Sequence, residues 1–65
     1  EYEDVVEEMA MWTIVRERER DDPVAYRELA EMTPWDASTC KRRYDRYKEQ
    51  GKYVDAVQRV ENLIA

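Results

Sequence analysis

Apolar and polar residues alternate along most of this chain with the period of an α-helix. From about residue 3 to 20, Val5, Met9 and Trp12 recur at the i, i+4 and i+7 spacing of one helix face, and Tyr2, Val6 and Val15 widen this stripe. The most regular stripe lies between about residues 53 and 64, where apolar residues are spaced 4, 3 and 4 apart. These residues are Tyr53, Val57, Val60 and Ile64. The pattern therefore predicts a helix at each end of the chain and an all-α fold.

A second helix is predicted at about residues 23–32. Asp22 is a residue type that caps helices, and Pro23 suits the first helical position, where its missing N–H costs nothing. Leu29 and Ala30 would then face inward together with Tyr26.

The start of a third helix is open between two positions. Thr33 could cap a helix that begins at Pro34, or Asp36 could cap a helix that begins at Ala37. In both cases the helix extends to about residue 50, where Gly51 suits the left-handed position that ends many helices. We therefore expect one domain, residues 1–65, folded as a small three- to four-helix orthogonal bundle.

The composition argues against several classes of site. Cys40 is the single cysteine and there is no histidine, so neither an internal disulfide nor a zinc site is expected. No glycine-rich phosphate loop or nucleophile–base pair occurs. We therefore expect no enzyme, no cofactor and no metal.

No stretch is long and apolar enough for a membrane span, and the free thiol fits a reducing, intracellular location, cytoplasmic or nuclear.

Charge is distributed unevenly along the chain. The net charge is −5, which by itself disfavours a nucleic-acid partner. Residues 1–36 contain twelve acidic against four basic residues, whereas residues 37–52 contain six basic against two acidic residues. The positive charge is thus concentrated on the predicted third helix.

The second and third helices carry the motif of a helix-turn-helix. Such a unit needs a small residue in its first helix, a capping residue after the turn and an apolar anchor in its second helix. Ala30, Asp36 and Cys40 occupy those positions. The segment resembles the helix-turn-helix of sigma-factor region 4 and of related phage-type regulators, although Pro34 stands where that family usually has glycine. The matching residues are Tyr26-Arg27-Glu28-Leu29-Ala30-Glu31, Ser38-Thr39-Cys40-Lys41 and Arg43-Tyr44.

A weaker second resemblance is to Myb/SANT-like domains, based on the segment from Cys40 to Tyr44 and on Trp12 and Tyr26 as aromatic core positions. Both resemblances imply a DNA-binding module of a transcriptional regulator, with the third helix in the major groove of double-stranded DNA. Lys41 and Arg42 are the best candidates for base contacts, and Arg43 would contact phosphate or lie at the flank. The predicted DNA-binding residues are Ser38, Lys41, Arg42, Asp45, Arg46 and Lys48.

A protein-interaction module, natural or engineered, is the alternative function. Tryptophan and methionine are enriched at protein interfaces, and helix 1 holds more apolar surface than one core face needs. An exposed patch for another protein would comprise Met9, Met11, Trp12 and Trp35. Helix 4 is a candidate surface for a homodimer.

The residues assigned to both functions also have simpler structural interpretations. The basic side chains of helix 3 could be ordinary solvated surface, or could pair with acidic residues of helices 1 and 2. Helix 1 could be central and covered on two sides, which would bury its extra apolar residues. Cys40 is expected to be a small buried apolar residue.

Overall fold

Four helices form the regular structure in the computed structural model, which describes the backbone of residues 2–64 and the side chains of residues 4–64. They are α1 (Tyr2–Arg18), α2 (Tyr26–Met32), α3 (Ala37–Gln50) and α4 (Val54–Ile64). No strand lies within the described backbone, and the prediction of a small all-α bundle is confirmed. The bundle measures 26 × 23 × 23 Å along its principal axes.

α1 is the central helix, because it packs against each of the other three and most extensively against α4. Met11, Ile14 and Val15 lie on one side of α1 and are almost completely buried. At the edge of the contact with α4, the Arg59 Nη2 atom lies 2.7 Å from the Glu8 carboxylate. That hydrogen bond from Arg59 lowers the pKa of Glu8.

The apolar stripe predicted for α1 is confirmed at Val15, which is buried, but not at Val5 and Met9, and the side chain of Tyr2 lies outside the described residues. Val5 and Met9 are 52% and 50% exposed, and Trp12 is half-buried. Met11, which lies on the other side of the helix from Met9, is 1% exposed. Apolar side chains occur around most of α1, so periodicity cannot select the inward face. The packing of the other three helices selects it.

Hydrogen bonds join the connection between α1 and α2 to the last turn of α1. α2 begins at Tyr26 rather than at Pro23. The Val24 N–H donates to the Glu17 carbonyl, and Arg18 donates from Nη1 to the Val24 carbonyl, at 3.1 and 2.9 Å. The Arg18 guanidinium also lies 4.4 Å from the centre of the Tyr26 ring. These bonds keep Val24 out of a helix, so the predicted helix start at Asp22-Pro23 is wrong.

Arg18, in the last turn of α1, is half-buried although it is charged. The Nε atom of Arg18 is buried without a hydrogen-bond partner in the structure. Other parts of the same guanidinium contact the Val24 carbonyl and the Tyr26 ring. Arg18 is therefore part of the packing between α1 and α2.

α3 begins at Ala37, which is the second of the two predicted starting positions. Asp36 is the N-cap, and its Oδ1 atom accepts a hydrogen bond from the Thr39 N–H at 2.8 Å. Thr33 instead ends α2, where its hydroxyl donates to the Leu29 carbonyl at 2.9 Å. Gly51 ends α3 with a φ of 69°, as predicted, and its N–H points back to the Arg46 carbonyl.

α4 begins at Val54, one residue after Tyr53, which has a φ of 69° in the preceding turn. Val57 and Val60 of the predicted stripe are buried, but Ile64 is 59% exposed. The stripe proposed as a homodimer surface is thus largely used within the chain, against α1.

The centre of the core contains four side chains with almost no exposure: Met11, Ile14, Leu29 and Cys40. They come from α1, α2 and α3, and Tyr44, Val15 and Val57 extend the same cluster. The expectation that Cys40 is a small buried apolar residue is confirmed. No helix of the described chain could span a membrane.

Replacing Leu29 with alanine should lower the free energy of unfolding by about 2–5 kcal/mol, because a fully buried leucine leaves a cavity. Urea denaturation followed by circular dichroism measures this change. Leu63→Ala is the matched control, because Leu63 is 85% exposed and loses the same atoms. Equal stability of the two variants would contradict the packing of α2 against α1 and α3.

Candidate nucleic-acid interface

The outward side of α3 brings the predicted DNA-binding residues onto one surface. Cys40 and Tyr44 are buried and Tyr47 is half-buried, which fixes the inward side of the helix. Six of the remaining positions are the ones predicted to bind DNA, and we call them the outer α3 face: Ser38, Lys41, Arg42, Asp45, Arg46 and Lys48. Asp45 is half-buried and the other five are exposed.

The first turn of α3 is closed by its own capping residue. The Asp36 Oδ1 atom accepts hydrogen bonds from the Thr39 N–H and from the Ser38 hydroxyl, at 2.8 and 3.2 Å. Hydrogen bonds from Thr39, through its side chain and its backbone, and then from Ser38 lower the pKa of the Asp36 carboxyl. A carboxylate thus occupies the helix N-terminus, where an anion would otherwise bind.

Lys41 and Asp45 form an ion pair one turn apart on the outer α3 face. The Lys41 Nζ atom lies 3.1 Å from Asp45 Oδ2, and this hydrogen bond raises the pKa of Lys41. Both side chains are accessible to solvent, 62% and 43% exposed respectively. Exposed pairs of this kind contribute little to stability and exchange readily for other partners. Lys41 is therefore available to a ligand.

The other basic residues of this face are less constrained. Arg42 donates from Nη2 to the Thr39 hydroxyl at 3.0 Å, which orients its guanidinium along the first turns of α3. The Lys48 Nζ atom lies 5.4 Å from the centre of the Tyr44 ring. Arg46 forms no ion pair within the described part of the chain. The alternative in which Lys41, Arg42 and Arg46 pair with acidic residues of helices 1 and 2 is not observed among the described residues.

Arg43 has a different role from its neighbours. Its guanidinium lies 4.1 Å from the centre of the Trp35 ring and 5.7 Å from that of Tyr53. Its Nη1 atom also lies 3.3 Å from a Glu7 carboxylate oxygen of α1. Arg43 therefore joins α1, the turn before α3 and the turn before α4. The role of Arg43 as a phosphate contact or flanking residue stays a prediction, and in the structure its guanidinium is engaged by these contacts.

Sequence analysis missed this cluster because its members are far apart in the chain. Glu7 and Arg43 are separated by 36 positions, and no local spacing connects them. No local signal in the sequence points to the cluster, because the φ of 69° at Tyr53 and its contact with Arg43 are seen only in the folded chain.

The alternative patch of tryptophan and methionine does not form a single exposed surface. Met11 is 1% exposed, so its prediction as an interface residue is wrong. Trp12 is half-buried; its Nε1 atom donates to Glu61, and Arg16 lies 5.2 Å from its ring centre. Trp35 is half-buried beneath Arg43. Only Met9 of the four is largely exposed.

The described residues contain no group of three or more histidine, cysteine, aspartate or glutamate side chains that could hold a metal ion. Comparison with protein-family models, with curated proteins and with solved structures finds no match to this chain. A functional assignment therefore depends on the residues and geometry of the molecule itself.

Replacing Arg43 with alanine should lower the free energy of unfolding by about 1–2 kcal/mol, through loss of two ring contacts and the pair with Glu7. Arg43→Lys should lie between this variant and the wild type, because lysine keeps the charge but lacks the planar guanidinium. Arg42→Ala is the matched control and should change stability by less than about 0.5 kcal/mol. Urea denaturation measures all three, and equal effects of the two alanine substitutions would contradict the role of Arg43.

The Asp36 cap should make stability depend on pH in the acidic range. Because its folded pKa is lowered, the charged carboxyl stabilises the fold above the ordinary aspartate pKa of about 4. That contribution is lost as the pH falls through the folded pKa. We therefore expect the melting temperature of the wild type to exceed that of Asp36→Asn near neutral pH, and the difference to shrink at low pH. A difference that is constant from neutral to acidic pH would exclude a charged cap.

Proposed function

We propose that this chain binds double-stranded DNA through the outer α3 face, as the helix-turn-helix module of a transcriptional regulator. One observation carries the proposal: the six exposed or half-buried positions that the motif assigns to DNA, four of them basic, lie together on one helix. The rest of the molecule is acidic, with a net charge of −8 over residues 1–36. Such a regulator would act in the cytoplasm or the nucleus.

The arrangement of α2 and α3 supports this function. Four residues separate the two helices, which pack against each other. Cys40 and Tyr44 anchor α3 in the core, so that its opposite side is presented to solvent. With 14 residues, α3 is about 21 Å long, and a helix of this kind fits the major groove of B-DNA.

Different side chains of the outer α3 face would contact different parts of the DNA. Arg42 and Lys41 are long donors near the start of α3, where recognition helices contact base edges, and both residue types pair with guanine. Lys41 can leave Asp45 at little cost because the pair is exposed. Asp45 would then be free to accept a hydrogen bond from cytosine.

Phosphate contacts should come from the later part of α3. Asp36 already occupies the N-terminal end of the helix, and its negative charge repels a phosphate there. Arg46 and Lys48 are exposed one to two turns further along the helix. These two residues are the proposed phosphate ligands.

The acidic remainder of the chain restricts how DNA can approach. Residues 1–36 would repel the phosphate backbone, so only the outer α3 face offers an attractive surface. This charge pattern favours one binding orientation over many. It also predicts a low affinity when salt screens the few favourable contacts.

Fluorescence anisotropy with a mixed-sequence duplex, at about 50 and 200 mM salt, tests the proposal. We expect binding at the lower salt concentration that weakens at least tenfold at the higher one, because neutralised phosphates release counterions. Lys41→Ala/Arg42→Ala should abolish measurable binding at the higher concentration and reduce it strongly at the lower one.

Arg16→Ala/Arg20→Ala is the matched control, because it removes two positive charges from exposed positions of α1 and the following loop. This control should bind like the wild type. Loss of binding in both double variants would indicate an effect of net charge alone. No binding of the wild type at the lower salt concentration would refute the proposed function.

A further inference from the structure

A pocket of about 270 Å³ lies where α1, the second half of α3 and α4 meet, and we call it the α1–α4 pocket. α1 supplies four of its lining residues, α4 supplies three, and α3 supplies one. Most of the lining is polar or aromatic: Trp12, Arg16, Glu19, Tyr47, Gln58 and Glu61. The pocket therefore differs from the apolar core beneath it in the chemistry that it offers to a ligand.

Hydrogen-bond acceptors predominate among the polar groups of this pocket. The Trp12 Nε1 atom donates to Glu61, which fixes that carboxylate beside the indole ring. The Gln58 amide nitrogen donates to Asn62 at 3.1 Å, so the carbonyl oxygen of Gln58 remains as an acceptor. Glu19 forms no ion pair within the described part of the chain. Carboxylates next to an aromatic ring are groups that bind a cation.

The chain itself places a cation at this site. The Arg16 guanidinium lies 5.2 Å from the centre of the Trp12 ring, and its Nη1 atom lies 3.7 Å from Glu61 Oε2. The second distance is longer than a hydrogen bond, and the Arg16 side chain is 60% exposed. Arg18 and Arg43, by contrast, are half-buried and lie within 4.4 and 4.1 Å of a ring centre. Arg16 is thus held loosely and can exchange for another cation.

The charge around the pocket determines the kind of partner. Residues 1–36, which supply its α1 side, carry a net charge of −8, and such a surface attracts basic segments and repels acidic ones. A planar guanidinium can stack on a ring and pair with a carboxylate at the same time. We propose that the α1–α4 pocket binds an arginine side chain from a basic segment of another protein, in the place that Arg16 occupies.

Arg16 then acts as an intramolecular competitor of the ligand. The incoming guanidinium displaces Arg16 from Trp12 and Glu61, at little cost because those contacts are exposed. Glu19 follows Arg16 by three residues on the same side of α1 and offers a further carboxylate. Removal of Arg16 should therefore strengthen binding, although Arg16 lines the pocket.

A tetra-arginine peptide with blocked ends is the probe, and tetra-citrulline is its uncharged counterpart of the same shape. NMR correlation spectra show the indole N–H groups of Trp12, in the pocket, and of Trp35, which lies outside it beneath Arg43. Tetra-arginine should shift the Trp12 signal, with a dissociation constant of about 1 mM at low salt, and tetra-citrulline should not. The Trp35 signal should stay in place, and Trp35→Phe assigns the two signals.

Glu19→Gln/Glu61→Gln should weaken the binding of tetra-arginine at least about fivefold, because it removes both carboxylates of the pocket. Glutamine keeps an acceptor for Trp12, and circular dichroism checks that the variant is folded. Glu28→Gln/Glu31→Gln is the matched control, because it changes the net charge equally at two exposed positions of α2. This control should weaken binding less than about twofold.

Several results would overturn the proposal. An unchanged Trp12 signal up to about 5 mM tetra-arginine would show that the pocket does not bind it. Equal losses in the two double variants, or equal shifts of both indole signals, would indicate general attraction between opposite charges. Equal affinity for tetra-lysine would contradict the selection of a guanidinium.

Arg16→Ala tests the competition directly and should bind tetra-arginine more tightly than Arg27→Ala. Arg27→Ala is matched to it, because it removes one positive charge from an exposed position of α2. Equal affinities of these two variants would refute the placement of the ligand between Trp12 and Glu61.

This inference does not depend on DNA binding, because the α1–α4 pocket and the outer α3 face share no residue. Lys41→Ala/Arg42→Ala should lose DNA binding and keep the shift of the Trp12 signal. Glu19→Gln/Glu61→Gln should lose the peptide and bind DNA at least as well as the wild type, because it removes negative charge. Each proposal can therefore fail while the other holds.

Discussion

The fold depends on one small apolar cluster in which Met11 and Ile14 of α1 contact Leu29 of α2 and Cys40 of α3. Because each of these side chains is almost completely buried, the inward side of every one of these three helices is fixed by the same contact. α4 then completes the bundle by covering a further part of α1. This cluster therefore also determines which side of α3 faces the solvent.

Arginine residues have two different roles in this molecule. Arg18 and Arg43 lie against aromatic rings and join separate elements, so their charge contributes to the packing of the fold. Arg42 and Arg46 are exposed on α3 and form no ion pair with another helix in the described structure. The side chain is the same, and on α3 the difference between Arg43 and the other two arises from which side of the helix faces the core. Position on the helix therefore separates the structural cations from those proposed for binding.

Two exposed surfaces of opposite character result from this arrangement. The outer α3 face carries basic side chains on an otherwise acidic chain, and the α1–α4 pocket places carboxylates beside an aromatic ring. The outer α3 face is the surface proposed to contact DNA.

Local chemistry in the sequence determined the helical class, the Gly51 end of α3 and the basic content of residues 37–52, since these depend on neighbouring residues alone. The Asp36 cap was one of two local alternatives, and the tertiary structure decided between them. It also decided which side of α1 is buried, because apolar residues surround that helix. Arg43 and Arg18 became structural only through residues distant in the chain. Sequence spacing cannot encode such contacts, because they exist only once the helices pack together.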